Sequence, residues 1–287
     1  MDKLTWQLIE LQKHNRDGSM ATQKNRRETL TLAARQLKQS GFNQMNVNAL
    51  KGKHVTKLTQ KWRADGLAAG TIKNRMAHLR WWASKVNAAH KIPSNDQLEI
   101  DHRVYVTHEN KAVELTPEHL EKVTNSNIRY SLQLQAQFGL RREEAIKFNP
   151  HYADKGDRIT LKDSWCKGKR SRDIPIVTQE QRNLIDKLKQ DIGNASLIPP
   201  HLQYKHQMNT YKNAVPKTGL GKGHGLRHHY AQTRYKQLSG NDCPARGGIR
   251  QRDMNEIERE HDRQFRLIIS EELGHSREQV TSIYLGS

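Results

Sequence analysis

The chain has 287 residues, enough for one large domain or two ordinary ones. Lys and Arg number 49 against 30 Asp and Glu, and the net charge of +19 favours a polyanionic partner such as nucleic acid. Two cysteines exclude a disulfide framework and a zinc-finger spacing, and no apolar run suits a membrane span or a signal peptide. These features predict a cytoplasmic protein with a basic surface, although ribosomal and membrane-surface proteins share such a charge.

Residues 1–92 are predicted to form a helical domain. Apolar residues recur at helical spacing in four stretches: Leu4–Leu11, Leu30–Leu37, Val55–Trp62 and Ile72–Trp82. Gly41 and Gly66 are expected to end the second and third helices, and Thr71 to begin the fourth. A solvated charged face is one interpretation of the cations on the fourth helix, and contact with phosphates is the other. On the second interpretation the candidate DNA contacts are Lys73, Arg75 and Arg80.

The helical period is lost over residues 93–114, where a proline and scattered polar residues predict an extended linker. A second domain, residues 115–287, is expected to begin with a helix that has Thr116 as its N-cap and Pro117 at its first position. Two strands are predicted on either side of a basic turn: Arg158–Leu161 and Asp173–Val177. The predicted fold is therefore mainly α with a small β-sheet, an α+β class.

The second domain contains residue types that suit the cleavage of a phosphodiester without a metal. Two guanidinium groups can bind the charged oxygens of the phosphorane, and a general acid can protonate the leaving sugar oxygen. Tyrosine suits the attack because its phosphate ester preserves the bond energy for rejoining, although a pKa near ~10 demands a base or cationic surroundings. In chain order the candidates are Arg141, Lys167, His224, Arg227, His275 and Tyr284.

Four motifs built on these residues resemble those of the tyrosine recombinases, the phage and mobile-element integrases. The first two are Gly139-Leu140-Arg141 with Glu144, and the turn Lys-Gly-Lys-Arg-Ser-Arg-Asp-Ile-Pro at residues 167–175. The last two are His224 with Arg227 and His228, and Leu273-Gly274-His275 with Tyr284 nine positions later. The resemblance covers the second domain, and the first domain is similar to the helical, SAM-like core-binding domain of mobile-element integrases.

The resemblance implies a role for each residue. Arg141 and Arg227 would hold the scissile phosphate, and Lys167 would be the general acid on the 5′ oxygen. His224 would take the tyrosine proton or return one, and Tyr284 would form a 3′-phosphotyrosyl link. His275 would hydrogen-bond a non-bridging oxygen of the phosphate, and Glu144 and His228 would support the site.

The resemblance also implies partners. The substrate would be double-stranded DNA attachment sites of a phage or mobile element, with strand exchange in a homotetramer on a Holliday junction and an accessory DNA-bending protein as a further candidate partner. No cofactor and no metal is implied, and the setting would be the bacterial cytoplasm, at the nucleoid when DNA is bound. The basic turn adds three candidate DNA contacts: Lys169, Arg170 and Arg172.

Three alternatives remain open from the sequence. A DNA topoisomerase of the 3′-linking tyrosine type uses a similar set of residues, and a DNA-binding regulator that has lost catalysis would share the charge. His224, His228 and His229 also permit a metal cluster, although no fourth ligand stands at a matching spacing.

Two features depart from the family pattern. The spacing from Arg227 to His275 is 48 positions, about double that of the family, and the extra length falls within residues 240–264. This stretch is a DNA-contacting loop, a protomer contact or an inert insertion; its Asn255–Arg266 portion suits a polar helix, but a solvated insertion is favoured. The sequence also ends at Ser287, where many relatives continue into a helix that docks on a neighbouring protomer.

Overall fold

The computed structural model describes residues 1–106, 109–275 and 278–287. The chain divides into two compact units, Met1–Val104 and Tyr105–Ser287. The division falls inside the segment 93–114. Within the described ranges, no helix combines the length and the apolar character needed to cross a membrane.

The first unit is built from four helices, as the apolar periodicity predicts: α1 Lys3–His14, α2 Met20–Gln39, α3 Gly52–Ala64 and α4 Ala69–Lys85. α4 begins two residues before Thr71. Two tryptophans, Trp62 and Trp82, are fully buried in the centre of this unit, and each indole N–H is satisfied. Trp62 Nε1 donates to Gln36 Oε1 at 2.8 Å, while Trp82 Nε1 donates to a main-chain carbonyl at 2.8 Å.

Part of the segment predicted to be a linker packs against the first unit. Leu98 and Ile100 are buried in the same apolar cluster as Trp62 and Trp82. Their burial removes apolar surface from water, which ties this part of the segment to the helices before it.

The second unit contains α5–α13 and two strands. Its helices are α5 Pro117–Glu121, α6 Ser126–Phe138, α7 Arg142–Lys147, α8 Pro150–Ala153, α9 Gln179–Ile192, α10 Tyr204–Ala214, α11 His224–Ser239, α12 Glu256–Glu272 and α13 Ser282–Leu285. The strands are β1 Arg158–Leu161 and β2 Arg172–Pro175. The mainly helical α+β class is thereby confirmed, and α5 begins with Thr116 as N-cap and Pro117 at its first position.

Helices α6 and α11 pack against each other at the centre of the second unit. One side of α6 contributes Leu134 and Phe138 to an apolar cluster that also contains Tyr230 and Tyr284. The other side contributes Leu132 to a second cluster, with α10. The ends of α6 and α11 therefore lie in well-packed surroundings, which is what holds the turns after and before them in place.

The two strands form an antiparallel pair in which Arg158 is opposite Pro175 and Leu161 is opposite Arg172. β2 ends at Pro175, two residues short of the predicted end, although the N–H of Ile176 still donates to the carbonyl of Asp157 at 2.8 Å. Residues 162–171 connect the strands, and Lys167 is exposed on this connection.

The stretch after α11 is folded into the second unit and contains the helix α12, in agreement with the polar-helix alternative, while most of residues 255–266 remain exposed as a solvated insertion would be. Asn255 caps this helix and shares a capping box with Glu258. The first turns of α12 are exposed, but Asp262 and Arg266 are buried along one face, and Cys243 is buried in the loop before it.

Candidate active site

The turn between α6 and α7 places the first candidate arginine. Gly139 ends α6 in the left-handed region, with a φ of 61°, and a Cβ at this position would overlap the ring of Tyr230. Arg141 follows as the N-cap of α7, with Glu144 as the third residue of the helix. Glycine is thus required at the position that turns the chain toward Arg141.

Arg141 is oriented by contacts from two directions. Glu144 accepts a hydrogen bond from the Arg141 main-chain N–H at 2.7 Å and one from Nη1 at 2.8 Å. Nη2 of Arg141 donates to the carbonyl of Gly274 at 3.2 Å. The guanidinium is a quarter exposed, so an incoming anion can reach it.

Glu144 is a buried carboxylate that serves two arginines. It also accepts from Arg172, with Nη2–Oε2 at 2.6 Å and Nη1–Oε1 at 3.0 Å. Burial alone raises the pKa of Glu144, but the hydrogen bond from Arg172 and the charges of Arg172 and Arg141 outweigh it and lower the pKa to about 2. Glu144 therefore stays ionised, as a supporting role requires.

Arg172 lies in this cluster and not on an open DNA-facing surface. Its side chain is 7% exposed, and Nε donates to the carbonyl of Glu272 at 2.8 Å. With its donors committed to Glu144 and Glu272, the geometry favours a positioning role for Arg172 over the DNA contact expected from the turn motif.

Arg227 is the most deeply buried of the candidate residues, with 1% of its surface exposed. It comes from the first turn of α11 and donates to the carbonyls of Gly139 and Leu273. Nη2 lies 3.2 Å from His275 Nε2, and Nε donates to the hydroxyl of Tyr284 at 3.3 Å. Burial lowers the pKa of Arg227 to about 10, which still leaves it cationic at neutral pH.

Both candidate arginines meet the same turn after α12. Arg227 donates to the carbonyl of Leu273, and Arg141 to the carbonyl of the next residue, Gly274. His275 follows directly. Residues that are far apart in the sequence thus converge on one point, where two guanidinium groups and an imidazole lie together, the residue types that bind a phosphate.

Tyr284, on α13, is 6% exposed and its ring lies among three histidines. The ring centroids are 4.5 Å from His228, 5.4 Å from His275 and 5.8 Å from His224. Its hydroxyl is the acceptor for Arg227 Nε. The Tyr284 side chain therefore lies among the candidate histidines and Arg227 of its own chain.

The three histidines beside Tyr284 are all disposed to be neutral. Burial, followed by the charges of nearby arginines, lowers the pKa of His275 to about 3. Burial lowers the pKa of His228 to about 4, with His224 and Lys111 adding to the effect. For His224, at the more open start of α11, the pKa is also lowered by burial and by Arg227. A neutral imidazole can accept a proton, which suits the role expected of His224.

Lys167 occupies a different environment from the rest of the set. It is exposed on the connection between β1 and β2, with Lys169 and Arg170, and it is absent from the described contacts of Tyr284 and Arg227. A lysine on an exposed turn can reach a bound strand because its four-carbon side chain is long and rotatable.

The candidate DNA contacts on α4 are partly engaged within the first unit. The guanidinium of Arg75 lies 5.1 Å from the ring centroid of Trp62. Nη2 of Arg80 donates to the carbonyl of Pro93 at 3.1 Å and to Asn95 Oδ1 at 2.9 Å. Lys73 is half-buried.

A metal cluster at His224, His228 and His229 finds no support in the described ranges, where no group of three or more His, Cys, Asp or Glu side chains is arranged to hold an ion. His228 packs on Tyr284, and His229 Nδ1 lies 3.4 Å from Arg246 Nη2.

Gln232 is a residue of the site that the motifs do not include. It is fully buried on α11, and Nε2 donates to the main-chain carbonyl of Tyr284 at 3.1 Å. His224, His228 and Gln232 are spaced by four, so helical periodicity places all three on one face of α11. That spacing is a signal from which the sequence analysis could have found Gln232.

Two family models match the sequence, in the order in which the units occur. A phage integrase N-terminal model matches residues 1–89, and an integrase model matches residues 105–233. No curated protein sequence matches the chain.

The fold is similar to several solved structures. A XerH site-specific recombinase bound to a palindromic difH substrate has a TM-score of 0.60 at 14% identity, with 99% of this chain and 81% of that chain covered. A lambda integrase dimer bound to a COC′ core site has a TM-score of 0.62 at 15% identity, with 98% and 94% covered. The Tn1549 transposon integrase in complex with circular intermediate DNA has a TM-score of 0.53 at 15% identity, with 100% and 96% covered.

These similarities lie at identities where the fold is what is shared. The family models add the sequence evidence, because they match both units. The chain therefore belongs to the phage integrase family of tyrosine recombinases, enzymes that cleave and transfer DNA strands.

Proposed function

We propose that this protein is a site-specific recombinase that joins double-stranded DNA covalently to Tyr284 through a 3′-phosphotyrosyl bond, and thereby integrates or excises a mobile element. The observation that carries the proposal is the position of the Tyr284 hydroxyl. It accepts a hydrogen bond from the buried guanidinium of Arg227, which meets Arg141 at the turn of residues 273–275.

The proposed cleavage step uses this cluster as follows. Arg227 and Arg141 bind the non-bridging oxygens of the scissile phosphate, with His275 as a third hydrogen-bonding group. The Tyr284 oxygen attacks phosphorus, its proton passes to neutral His224, and the bond from phosphorus to the 5′ oxygen breaks. Lys167 gives its proton to that 5′ oxygen. Rejoining is the reverse reaction, with a 5′-hydroxyl as the attacking group.

Tyr284 is proposed to act in cis, on the phosphate bound by its own protomer. The support is that its ring packs on His228 and its hydroxyl contacts Arg227 of the same chain. A tyrosine delivered to a neighbouring protomer would have to give up these contacts.

The finer biological setting is also part of the proposal. Residues 1–92 would be the core-binding DNA domain, with its phosphate contacts on α4, and residues 115–287 the catalytic domain. Strand exchange would take place in a homotetramer on attachment-site DNA, aided by a DNA-bending protein. The location would be the bacterial cytoplasm at the nucleoid, a setting that two free cysteines, Cys166 and Cys243, suit.

The experiment uses a suicide DNA substrate that carries a nick next to the cleavage site, so that the 5′-hydroxyl fragment diffuses away and the covalent adduct accumulates. We expect an adduct that survives SDS with the wild-type protein and none with Tyr284→Phe. An adduct formed by Tyr284→Phe would show that another residue is the nucleophile. Relaxation of supercoiled plasmid of any sequence would instead indicate a topoisomerase.

Mixing two inactive variants tests the cis assignment. Tyr284→Phe retains the phosphate-binding arginines, and Arg227→Ala retains the tyrosine. If each protomer uses its own tyrosine, the mixture forms no adduct above the level of either variant alone. Recovery of adduct in the mixture would mean that Tyr284 acts on a neighbouring protomer.

A further inference from the structure

The segment between α11 and the turn at residues 273–275 contacts the chain around Tyr284, either directly or through one intervening side chain. These contacts are made not to the Tyr284 side chain but to the main chain around it. They involve two carbonyl oxygens, those of Tyr284 and Gly286, on either side of Leu285.

The first carbonyl is held through Gln232. The amide Nε2 of Gln232 donates to the carbonyl of Tyr284 at 3.1 Å, and its Oε1 accepts from Arg246 Nε at 2.9 Å. Because arginine only donates and a carbonyl only accepts, one orientation of the amide satisfies both neighbours. Arg246 therefore favours the orientation in which the Gln232 NH2 group faces the carbonyl of Tyr284, and the same NH2 group also donates to Asn110 Oδ1 at 2.8 Å.

The second carbonyl is held directly by α12. Arg266, which is fully buried on α12, donates from Nη1 to the carbonyl of Gly286 at 2.8 Å. Nε of Arg266 is paired with Asp262 at 2.7 Å, and Asp262 accepts from Tyr235 and Gln251, each at 2.7 Å. A buried ion pair whose acceptor is saturated in this way keeps the guanidinium in one orientation.

Gly286 also lies directly against the insertion. Its φ is 77°, and a Cβ at this position would stand 2.9 Å from the main-chain nitrogen of Ala245. Glycine is therefore needed here both for the backbone conformation and for the close approach of residues 244–245.

Helix α13 needs such support, because it has only four residues, Ser282–Leu285. A single turn fixes several backbone dihedrals for very few hydrogen bonds and is not stable by itself. The position of the Tyr284 hydroxyl relative to Arg227 therefore depends on what holds the main chain of α13 in place.

We propose that segment 240–266 is a positioning device for the nucleophile, with Arg246 acting through Gln232 and Arg266 acting directly. This inference rests on the proposed function, since it concerns how Tyr284 is presented to the phosphate. Arg246 and Arg266 are positioning residues: they touch neither the substrate nor the Tyr284 hydroxyl, and they set the distance over which that hydroxyl attacks.

The test compares Arg246→Met with Arg252→Met. Both variants lose one positive charge from the same segment and keep an unbranched side chain, but Arg252 is exposed and its ion pair is with its neighbour Asp253. The first assay measures the rate of covalent adduct formation on the nicked suicide substrate. We expect Arg246→Met to slow this step roughly 10- to 100-fold, the range of a small misplacement of a reacting group, and Arg252→Met to leave it unchanged.

The second assay measures a reaction that does not use the tyrosine. A DNA strand ending in a 3′-(4-nitrophenyl) phosphate is joined to a 5′-hydroxyl strand by proteins that all carry Tyr284→Phe, so that no tyrosine can attack the activated phosphate. The 5′-hydroxyl gives up its proton to solvent or to a neutral histidine, its oxygen bonds to phosphorus, and 4-nitrophenolate leaves. This joining needs the arginines, but not Tyr284. We expect Arg246→Met, combined with Tyr284→Phe, to join these strands as fast as Tyr284→Phe alone, which a general loss of structure would not allow.

Gly286→Ala provides a second variant that changes no charge. The added methyl group collides with Ala245 and opposes the positive φ, so adduct formation should fall while joining of the activated strand is retained.

The inference is overturned if Arg246→Met forms the adduct as fast as Arg252→Met, or if adduct formation and joining slow by the same factor. Failure of the proposed function has a different signature: Tyr284→Phe would then form the adduct as the wild type does.

Discussion

At the scale of single residues, burial determines the chemistry of the groups around Tyr284. His228 and His275 have pKa values lowered to about 4 and about 3, because a charged imidazole is poorly solvated there and because Arg227 lies close by. Glu144 is fully buried but is ionised, because Arg172 and Arg141 donate to it. The site thus combines neutral bases with permanent cations, as the transfer of a phosphoryl group requires.

These pKa shifts predict how stability depends on pH. Unfolded histidines bind a proton near the ordinary value of 6.5, whereas folded His228 and His275 stay neutral down to about 4 and about 3. Below pH 6.5 and above the lowered pKa values, the unfolded state binds more protons than the folded state. The free energy of unfolding therefore falls as the pH is lowered from about 6.5 to about 4.5.

The check is thermal unfolding followed between pH 7.5 and pH 4.5, a window that lies above the range in which Glu144 loses its charge. His228→Gln removes one titrating group, so its melting temperature should change less over this window than that of the wild type. Parallel curves for the two proteins would contradict the assigned shift of His228.

At the scale of elements, short connections between helices put the reactive groups in place. Arg141 follows α6 by three residues, and His224 and Arg227 lie in the first turn of α11. These helices pack together, so the turn after one lies beside the start of the other. Gly139 makes this junction possible, because its carbonyl accepts from Arg227 while its missing side chain leaves room for Tyr230.

Gly139→Ala is therefore expected to destabilise the fold strongly. A positive φ of 61° and an overlap with the buried ring of Tyr230 act together, and we expect a loss of about 3 kcal/mol or more in the free energy of unfolding. Urea denaturation measures this loss.

Gly156→Ala is the matched control. Its φ is 90°, but no atom lies within 4 Å of the added Cβ, so only the backbone conformation is penalised, by about 1 kcal/mol. Equal losses for the two variants would show that the contact with Tyr230 contributes nothing.

At the scale of the whole molecule, charge dominates the expected interaction with DNA. A net charge of +19 over 287 residues allows many phosphates to be neutralised at once, and each contact releases counterions. Many of these cations are not involved in chemistry, so they contribute to affinity without contributing to cleavage.

Affinity for DNA should therefore fall steeply with salt, by about 10³-fold or more between 50 and 200 mM if several phosphates are contacted. Fluorescence anisotropy with a labelled duplex measures the dissociation constant at each salt concentration. Tyr284→Phe is the control, because it keeps every charge and should give the same slope. A dissociation constant that is insensitive to salt would show that the basic surface is not what binds DNA.

The helical composition could be predicted from the sequence, which also supplies the candidates for the site. Apolar residues at helical spacing, such as Leu30 and Leu37, reveal a helix because one face of it must be buried. Arg141, Arg227 and Tyr284 are candidates because few side chains can bind a phosphate or attack it, and because their motifs resemble those of the tyrosine recombinases. The family models match the two regions in the predicted order, residues 1–89 and 105–233.

Only the tertiary structure decided which of these groups meet and which residues hold them. Arg172 looked like a DNA contact within a basic turn, but it binds Glu144 and the carbonyl of Glu272, 100 positions away. The charged stretch after α11 looked solvated, yet Arg266 is buried against Gly286. Local patterns report burial along one element, whereas contacts between distant elements leave no periodic trace in the sequence. The sequence by itself therefore determined the helical fold class and which residues are candidates for the site, and the packing decided how Tyr284 is held among them.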